Sequence, residues 1–241
     1  MTNLSVNINK IALLRNSRGR DYPNVVNFAK KFIDLGVHGI TVHPRQDERH
    51  ITMQDAYDLG LYFKGLDGPE LNIEGYPSDD FLDLVENVKP HQCTLVPDAP
   101  NQLTSDHGWE LNKDMSLVRN SILRLQKSNI RTAIFLDPDL EQVDLVPKTN
   151  VDRIELYTES FASSFGTAQN KAVFEQFQAA AIRAQELGIG VNAGHDLDLK
   201  NLAKFLEIGN VLEVSIGHVL TIECIEFGMH TVIKRYLERC R

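Results

Sequence analysis

The chain has 241 residues, of which 42% are hydrophobic and 24% charged, an ordinary globular composition with enough material for one large core. The net charge is −8 at pH 7, and lysines and arginines are scattered rather than clustered, which argues against nucleic acid as a partner. No apolar stretch reaches the ~18 residues of a membrane helix and residues 1–5 do not resemble a signal peptide, so we expect a cytoplasmic protein without a membrane partner.

Eight short runs rich in apolar and β-branched residues recur along the chain, with segments of helical length between them. The runs are residues 4–8, 39–43, 70–74, 93–96, 131–136, 153–157, 190–192 and 212–216. Alternating strands and helices favour a parallel sheet, and one eightfold barrel uses about 250 residues. No linker divides the chain. We therefore predict an α/β fold, a single-domain (β/α)8 TIM barrel over residues 1–241.

Local signals mark several helix ends. Thr52 and Asp55 resemble a capping box, and residues 77–80 supply a proline and acidic residues for the first turn of another helix. Residues 34–43 and 186–195 share one plan, in which a helix end, a glycine and a strand lead to a histidine. This internal similarity indicates repeated β/α units. The longest segment without periodicity, residues 97–113, is interpreted as an ordered loop over the active face.

Proton-transfer groups stand at the ends of several predicted strands. They are His43, Glu74, Glu155, His195 and His218. Catalytic groups of an eightfold barrel come from the C-terminal ends of several strands, so this distribution predicts an active site. Partial burial would raise the pKa of Glu74 and make it a general base near neutral pH. A solvated Glu74 and a structural ion pair of Glu155 are the alternatives.

Basic and amide side chains near strand ends indicate sites for small anions. Residues 43–50 combine two imidazoles with two guanidiniums, and arginine binds phosphate with a fork of donors. Gly217 and His218 lead from the last strand into a helix whose first N–H groups can bind phosphate. Asn7 and Arg18 lie near the first strand. For these two, a hydrogen-bonded barrel interior and a surface ion pair remain the alternatives.

Taken together, ordered motifs along nearly the whole chain resemble the pyridoxine 5′-phosphate synthase family. The matching segments are residues 6–19, 39–45, 49–52, 71–74, 89–91, 95–97, 191–195 and 216–218. The resemblance implies a β/α barrel with extra helices, assembled as a homo-octamer, with no metal and no organic cofactor. It also implies the condensation of 3-amino-2-oxopropyl phosphate with 1-deoxy-D-xylulose 5-phosphate, which yields pyridoxine 5′-phosphate, phosphate and water.

The resemblance further implies roles for individual residues. His43 and Glu74 would be general bases, His195 the general acid, and Glu155 would stabilise charged intermediates. Arg45, His50 and Thr104 would hold the deoxyxylulose phosphate, while Asn7, Arg18, Gly217 and His218 would receive the other substrate or the product. Asn9, Lys10 and Asp196 stand at substrate-binding positions where the family often has aspartate, histidine and glycine.

Two other classes of function remain open on these residues. An isomerase or aldolase acting on phosphosugars would use the same phosphate contacts with other acid–base partners. A Schiff-base aldolase needs a lysine near a strand end, and Lys10 could serve. A non-catalytic phosphosugar-binding barrel is the third possibility, although binding alone would not require His43, Glu74 and His195 together.

Overall fold

A computed structural model describes residues 1–98, 102 and 105–241. Its eight parallel strands are β1 (Asn3–Asn7), β2 (Gly39–Val42), β3 (Glu70–Gly75), β4 (Gln92–Leu95), β5 (Arg131–Leu136), β6 (Arg153–Tyr157), β7 (Gly190–Gly194) and β8 (Val211–Ile216). Each strand pairs with the next, and β8 pairs with β1, so the sheet closes into a barrel. The predicted barrel is confirmed, and every predicted strand end lies within two residues of the observed one.

Helices surround the barrel. They are α1 (Asn9–Asn16), α2 (Val25–Asp34), α3 (Met53–Phe63), α4 (Asp79–Val88), α5 (Leu111–Gln126), α6 (Leu140–Leu145), α7 (Glu159–Ser164), α8 (Asn170–Glu186), α9 (Leu202–Leu206), α10 (His218–Phe227) and α11 (Met229–Arg239). The described residues thus contain eleven α-helices, which exceeds one per strand and confirms the expected extra helices. None of the helices in these described ranges is long and apolar enough to cross a membrane.

Two helices begin as their sequences predict. Thr52 accepts a hydrogen bond from the Asp55 backbone N–H, and the Asp55 carboxylate accepts from the Thr52 N–H, which completes the capping box before α3. Ser78 caps α4 by accepting from the N–H of Phe81. These side chains satisfy N–H groups that a helix start leaves without partners.

The two similar segments of the sequence adopt the same backbone course. Gly36 follows α2 with φ +91°, and Gly188 follows α8 with φ +76°. Both angles lie in the left-handed region that glycine adopts without steric cost. Each glycine ends its helix and turns the chain into the next strand, β2 or β7, whose C-terminal end carries a histidine. The predicted repetition of β/α units is confirmed at these two places.

Side chains on the strands divide into an apolar outer set and a polar inner set. The outer residues, such as Val6, Ile40 and Leu71, are buried against the helices. Inside the barrel, hydrogen bonds join polar side chains of different strands. They link Ser5 with Thr41 at 2.7 Å, Thr41 with Asn72 at 3.4 Å, Asn72 with Thr94 at 3.1 Å, and Thr94 with Glu155 at 3.4 Å.

A second polar layer lies at the N-terminal end of the barrel. Arg131 at the start of β5 forms an ion pair with Glu70 and donates to Gln92 Oε1 at 2.9 Å. Arg153 at the start of β6 donates to Asn192 Oδ1 at 3.2 Å. Charged and amide groups therefore satisfy one another at this end. The opposite end, where the strands finish, is the end that barrel enzymes use for chemistry.

Candidate active site

The C-terminal ends of the strands bring most of the predicted site residues to one mouth. Asn7 ends β1, His43 follows β2, Glu74 is the penultimate residue of β3, Glu155 lies in β6, His195 follows β7, and Gly217 follows β8. Because all eight strands are parallel, these positions face the same opening. A set that is spread over more than two hundred residues of sequence thus becomes a single cluster.

The carboxyl group of Glu74 is partly exposed at this mouth but densely surrounded by protein. Burial raises its pKa well above the ordinary value, and the nearby negative charges of Glu155 and Asp98 raise it further. Arg45 opposes this shift without cancelling it. Glu74 therefore holds a proton at a pH where an exposed glutamate has lost it, as a group needs for proton transfer near neutrality.

Glu155 is a buried carboxyl group inside the barrel. Burial and the neighbouring Glu213 raise its pKa to about 8. The Thr94 hydroxyl lies within hydrogen-bonding distance of both Asn72 Oδ1 and Glu155 Oε2 and has one hydrogen to donate to them. A hydrogen bond from Thr94 opposes the rise in the pKa of Glu155 without cancelling it.

His43 and His50 lie together beside the end of β2. Their ring centroids are 6.4 Å apart, and the backbone N–H of His43 donates to Asn9 Oδ1 at 3.0 Å. Burial and then the charge of Arg45 lower the pKa of both imidazoles, well below the ordinary value for His43 and to about 4 for His50. Both rings are thus neutral at pH 7. The Ile51 N–H donates to His50 Nδ1 at 2.9 Å, which leaves Nε2 of His50 as the N–H donor.

Arg45 is buried and forms an ion pair with Asp98. Its guanidinium also donates to the carbonyl oxygen of Gln102 at 3.3 Å, and the Ser105 hydroxyl donates to Asp98 Oδ2 at 2.8 Å. The other oxygen, Asp98 Oδ1, is buried without a hydrogen-bond partner among the described residues. Sequence reasoning missed Asp98, although a carboxylate shortly after a strand at residues 93–96 was a usable signal.

The imidazole of His195 packs against two aromatic rings. Its centroid lies 5.5 Å from that of Phe135 and 5.2 Å from that of Tyr157. Burial lowers the pKa of His195, while the carboxylates of Asp196 and Asp98 oppose this effect. The side chain of Asp196 itself is exposed. His195 is therefore a neutral ring whose pKa would rise when an anion binds beside it.

Gly217 and Asn7 approach each other closely at the junction of β8 and β1. A β-carbon on residue 217 would lie 2.9 Å from the Asn7 β-carbon and 3.1 Å from its carbonyl oxygen, so only glycine fits without a shift. Helix α10 begins at the next residue, His218, and no side chain caps its first turn. The first N–H groups of α10 are thus available to an anion at this junction.

Two further predicted substrate-binding residues, Arg18 and Lys10, lie in the segment that follows β1. Arg18 is exposed in the turn after α1 and forms no ion pair among the described residues. Lys10 is half-buried in α1, and its charge contributes to lowering the pKa of His50. Thr104 lies outside the described residues.

The described part of the segment that follows β4 packs across neighbouring strand ends. Trp109 is buried, its indole N–H donates to the Leu95 carbonyl at 2.8 Å, and its backbone N–H donates to the Phe135 carbonyl at 2.9 Å. Gly108 donates to Asp137 Oδ2 at 3.0 Å. Residues 105–110 are therefore anchored over β4 and β5, as expected for an ordered loop on the active face.

The fold and the mouth define an α/β-barrel enzyme with several acid–base groups and donors for small anions. The family described as pyridoxal phosphate biosynthesis protein PdxJ matches residues 4–241. The chain belongs to this family, and it is an enzyme of the ring-closing synthase kind.

Relatives agree with this assignment, and a solved structure shares the fold. Pyridoxine 5′-phosphate synthase of Christiangramia forsetii is 50% identical over 239 residues, which cover 99% of each chain. The synthase of Leptospira biflexa is 45% identical over 251 residues, covering 99% of this chain and 96% of the relative. A mutant tryptophan synthase α-subunit from Pyrococcus furiosus has a TM-score of 0.66 at 12% identity, covering 99% and 97% of the two chains. The last similarity shows the fold alone.

Proposed function

We propose that this enzyme condenses 3-amino-2-oxopropyl phosphate with 1-deoxy-D-xylulose 5-phosphate to form pyridoxine 5′-phosphate, phosphate and water. The observation that carries the proposal is the gathering of His43, Glu74, Glu155 and His195 at one mouth of a barrel that belongs to this family. The reaction needs such a set. An amine must attack a ketone, water and phosphate must leave, and several carbons must lose or gain protons.

We assign proton transfer to His43, Glu74 and His195. His43 is neutral in the resting site and can accept a proton at once. Glu74 begins with a proton and His195 without one, because burial favours the neutral form of each. Binding of phosphate groups favours a charged imidazole. Net movement of one proton from Glu74 to His195 then gives a carboxylate base and an imidazolium acid without exchange with solvent.

Glu155 receives a different role, the stabilisation of cationic intermediates. It lies inside the barrel below the mouth and is held beside Thr94 and Gly194. Imine formation between an amine and a ketone passes through positively charged nitrogen. A carboxyl group that can ionise as this charge develops stabilises it, and the low dielectric of the barrel interior strengthens the attraction.

Two groups of donors are proposed to bind the two substrate phosphates. Arg45 and His50, with Thr104, would hold the deoxyxylulose phosphate, because a guanidinium fork and an Nε2–H donor suit phosphate oxygens. Asn7, Arg18 and the backbone of Gly217 and His218 would hold the other phosphate at the start of α10. Asn9, Lys10 and Asp196 border these positions and are proposed as further substrate contacts.

The enzyme is proposed to act without a Schiff base at Lys10. The substrate amine already supplies the nitrogen for imine formation, so a lysine nucleophile is unnecessary. Borohydride added to the enzyme with either substrate should leave Lys10 unmodified. A substrate-dependent covalent adduct at Lys10 would instead favour an aldolase.

We also propose that the chain works in the cytoplasm as a homo-octamer. Exposed apolar side chains support an interface with other copies of the chain, because α1 and α10 contact each other and expose Leu13 and Leu14 on one helix and Ile225 and Phe227 on the other. Exposed apolar patches are typical of protein interfaces. Light scattering coupled to size-exclusion chromatography should give an octameric mass, whereas a monomeric mass would contradict the assembly.

The direct test of the reaction is to incubate purified protein with both phosphorylated substrates. We expect pyridoxine 5′-phosphate, identified by its absorbance and mass, together with free phosphate. Omission of either substrate should abolish the product. If neither the product nor phosphate forms, the assignment of the substrates is wrong.

A further inference from the structure

The backbone that presents His195 is held in an unfavourable conformation. His195 has φ +84° and Asp196 has φ +58°, two consecutive non-glycine residues in the left-handed region. Such a conformation costs free energy for residues with a β-carbon, and it persists only where surrounding contacts enforce it. The turn after β7 therefore needs specific partners that fix its shape.

Thr158 supplies most of these partners from the end of the neighbouring strand β6. Its backbone N–H donates to the Gly194 carbonyl at 2.9 Å. Its hydroxyl lies 2.8 Å from the same carbonyl oxygen and also contacts the carbonyl oxygen of His195. The hydroxyl has one hydrogen, which it donates to one of these oxygens or shares between them. Asn201 adds a bond from its side-chain N–H to the Asp196 carbonyl at 3.2 Å.

The hydrogen bond of the Thr158 hydroxyl to the turn after β7 is shielded from water because Thr158 is fully buried. Water cannot replace the hydrogen bond, so its loss would leave the carbonyl oxygens on the turn with fewer donors. The preceding residue, Tyr157, packs its ring against the imidazole of His195. Neighbouring residues of one strand end thus fix the ring and the backbone of His195.

We propose that Thr158 is a positioning residue for His195: its hydroxyl holds the carbonyl oxygens of Gly194 and His195 and so fixes the left-handed turn that aims the imidazole. The inference rests on the proposed function of His195 as the general acid. The hydroxyl of Thr158 contacts the backbone carbonyl oxygens of Gly194 and His195, so Thr158 acts on the imidazole only through the backbone. Its effect should appear in turnover rather than in substrate binding.

The first test compares Thr158→Val with Thr158→Ser. Valine keeps the shape and the backbone N–H but removes the hydroxyl, whereas serine keeps the donor. A catalytic group displaced by ~1 Å can cost about a hundredfold in rate, so Thr158→Val should lower kcat between about tenfold and a hundredfold with KM for both substrates nearly unchanged. Thr158→Ser should recover most of kcat.

Thr149 offers a matched control. It is also fully buried, and its hydroxyl donates to the Val146 carbonyl at 2.7 Å in the 3₁₀ turn Val146–Thr149, at the opposite end of β6. Thr149→Val should lose stability as Thr158→Val does but keep kcat. An equal loss of kcat in both variants, or a failure of serine to restore it, would overturn the inference.

A double-mutant cycle with His195→Asn separates this inference from the proposed function. If Thr158 acts through His195, Thr158→Val should cause little further loss of kcat once His195 is absent. If Thr158→Val lowers kcat as much in the His195→Asn variant as in the unchanged enzyme, the positioning role is contradicted. If His195→Asn alone keeps normal turnover, the role of His195 fails instead. Should Thr158→Val not fold, the Thr158→Ser and Thr158→Ala variants complete the same comparison.

Discussion

Glu155 and Gly194 lie directly against each other on the neighbouring strands β6 and β7. A β-carbon on residue 194 would come within 2.3 Å of Glu155 Oε1, much closer than any real contact. The absence of a side chain at residue 194 is therefore what gives the Glu155 carboxyl its place inside the barrel. The same glycine carries the carbonyl oxygen that Thr158 holds.

Replacement of Gly194 by alanine should accordingly damage both catalysis and stability. Glu155 would have to move away from Thr94, and we expect kcat to fall by about tenfold or more because a misplaced group loses its alignment. The added methyl group should cost about 1–3 kcal/mol in stability. Gly65→Ala is the control, since the nearest atom to a β-carbon there lies 3.7 Å away. Unchanged turnover in Gly194→Ala would show that Glu155 needs no fixed position.

The raised pKa of Glu155 predicts a stability effect that depends on pH. The folded protein favours the protonated carboxyl group, so its contribution is present at acidic pH and is lost as the pH rises through about 8. Glu155→Gln resembles the neutral form at every pH. The Tm of Glu155→Gln minus the Tm of the unchanged protein should therefore increase by a few degrees when the pH is raised from about 5.5 to about 9.

Glu70→Gln gives the opposite control for this measurement. The Arg131 guanidinium beside Glu70 lowers the pKa of its carboxyl group, so ionised Glu70 stabilises the fold. Glu70→Gln should therefore lower the Tm at both pH values. Thermal unfolding followed by circular dichroism measures both variants. If Glu155→Gln is no better at alkaline than at acidic pH, Glu155 is not a buried, protonated group.

The pH dependence of turnover should reveal His195 as an acid whose pKa changes on binding. The free enzyme has a lowered imidazole pKa because the ring is buried. Substrate phosphates favour the imidazolium, so the pKa should be higher in the complex. Since an acid must be protonated, activity falls as the pH rises past this pKa, and the alkaline limb of kcat should lie at higher pH than that of kcat/KM. This role would be contradicted if the alkaline limbs of kcat and kcat/KM lay at the same pH, or if the alkaline limb of kcat remained in His195→Asn.

Arg45→Ala should mainly weaken binding of the deoxyxylulose phosphate. Loss of a hydrogen bond to a charged group costs about 1.5–3 kcal/mol, which corresponds to an increase in KM of about ten- to a hundredfold, while kcat changes little. Stability should also fall, because Asp98 would remain buried without its cation. Arg183→Ala removes only exposed ion pairs with Asp144 and Glu186 and serves as the control. A large drop in kcat with normal KM would place Arg45 in the chemistry.

Much of the fold could be predicted because it depends on local patterns. Apolar runs, some of them preceded by a glycine that ends a helix, predicted the strand ends to within two residues. Thr52 and Ser78 marked the starts of two helices. The end of β7 was predicted two residues early, since Ala193 and Gly194 have little strand preference of their own. They are held in the sheet by pairing with Leu156 and Tyr157 of β6.

The contacts that the neighbours of the site make could not be predicted in the same way. Asp98 and Thr158 act through partners that are close in space but distant in sequence, as the ion pair with Arg45 shows. The positive φ of His195 was not predicted either, because tertiary contacts impose it, and only the glycine that the family often has at position 196 pointed to such a conformation in the next residue. The raised pKa of Glu74 was predicted from partial burial, but the contributions of Glu155 and Asp98 to it depend on contacts between strands and loops that are distant in sequence.

The proposed reaction and the role of Glu74 in proton transfer are tested together by one rate. This is the rate of pyridoxine 5′-phosphate formation from both phosphorylated substrates, measured for the unchanged enzyme and for Glu74→Gln. The substitution keeps size and polarity but abolishes proton transfer, and general acid–base groups contribute ~10²–10⁴-fold in rate. His195→Asn and His43→Asn should show losses of the same order with the fold intact. We predict that the unchanged enzyme forms the product and that Glu74→Gln loses at least about a hundredfold in kcat. Near-normal turnover by the folded Glu74→Gln variant would show that Glu74 does not transfer a proton in the reaction.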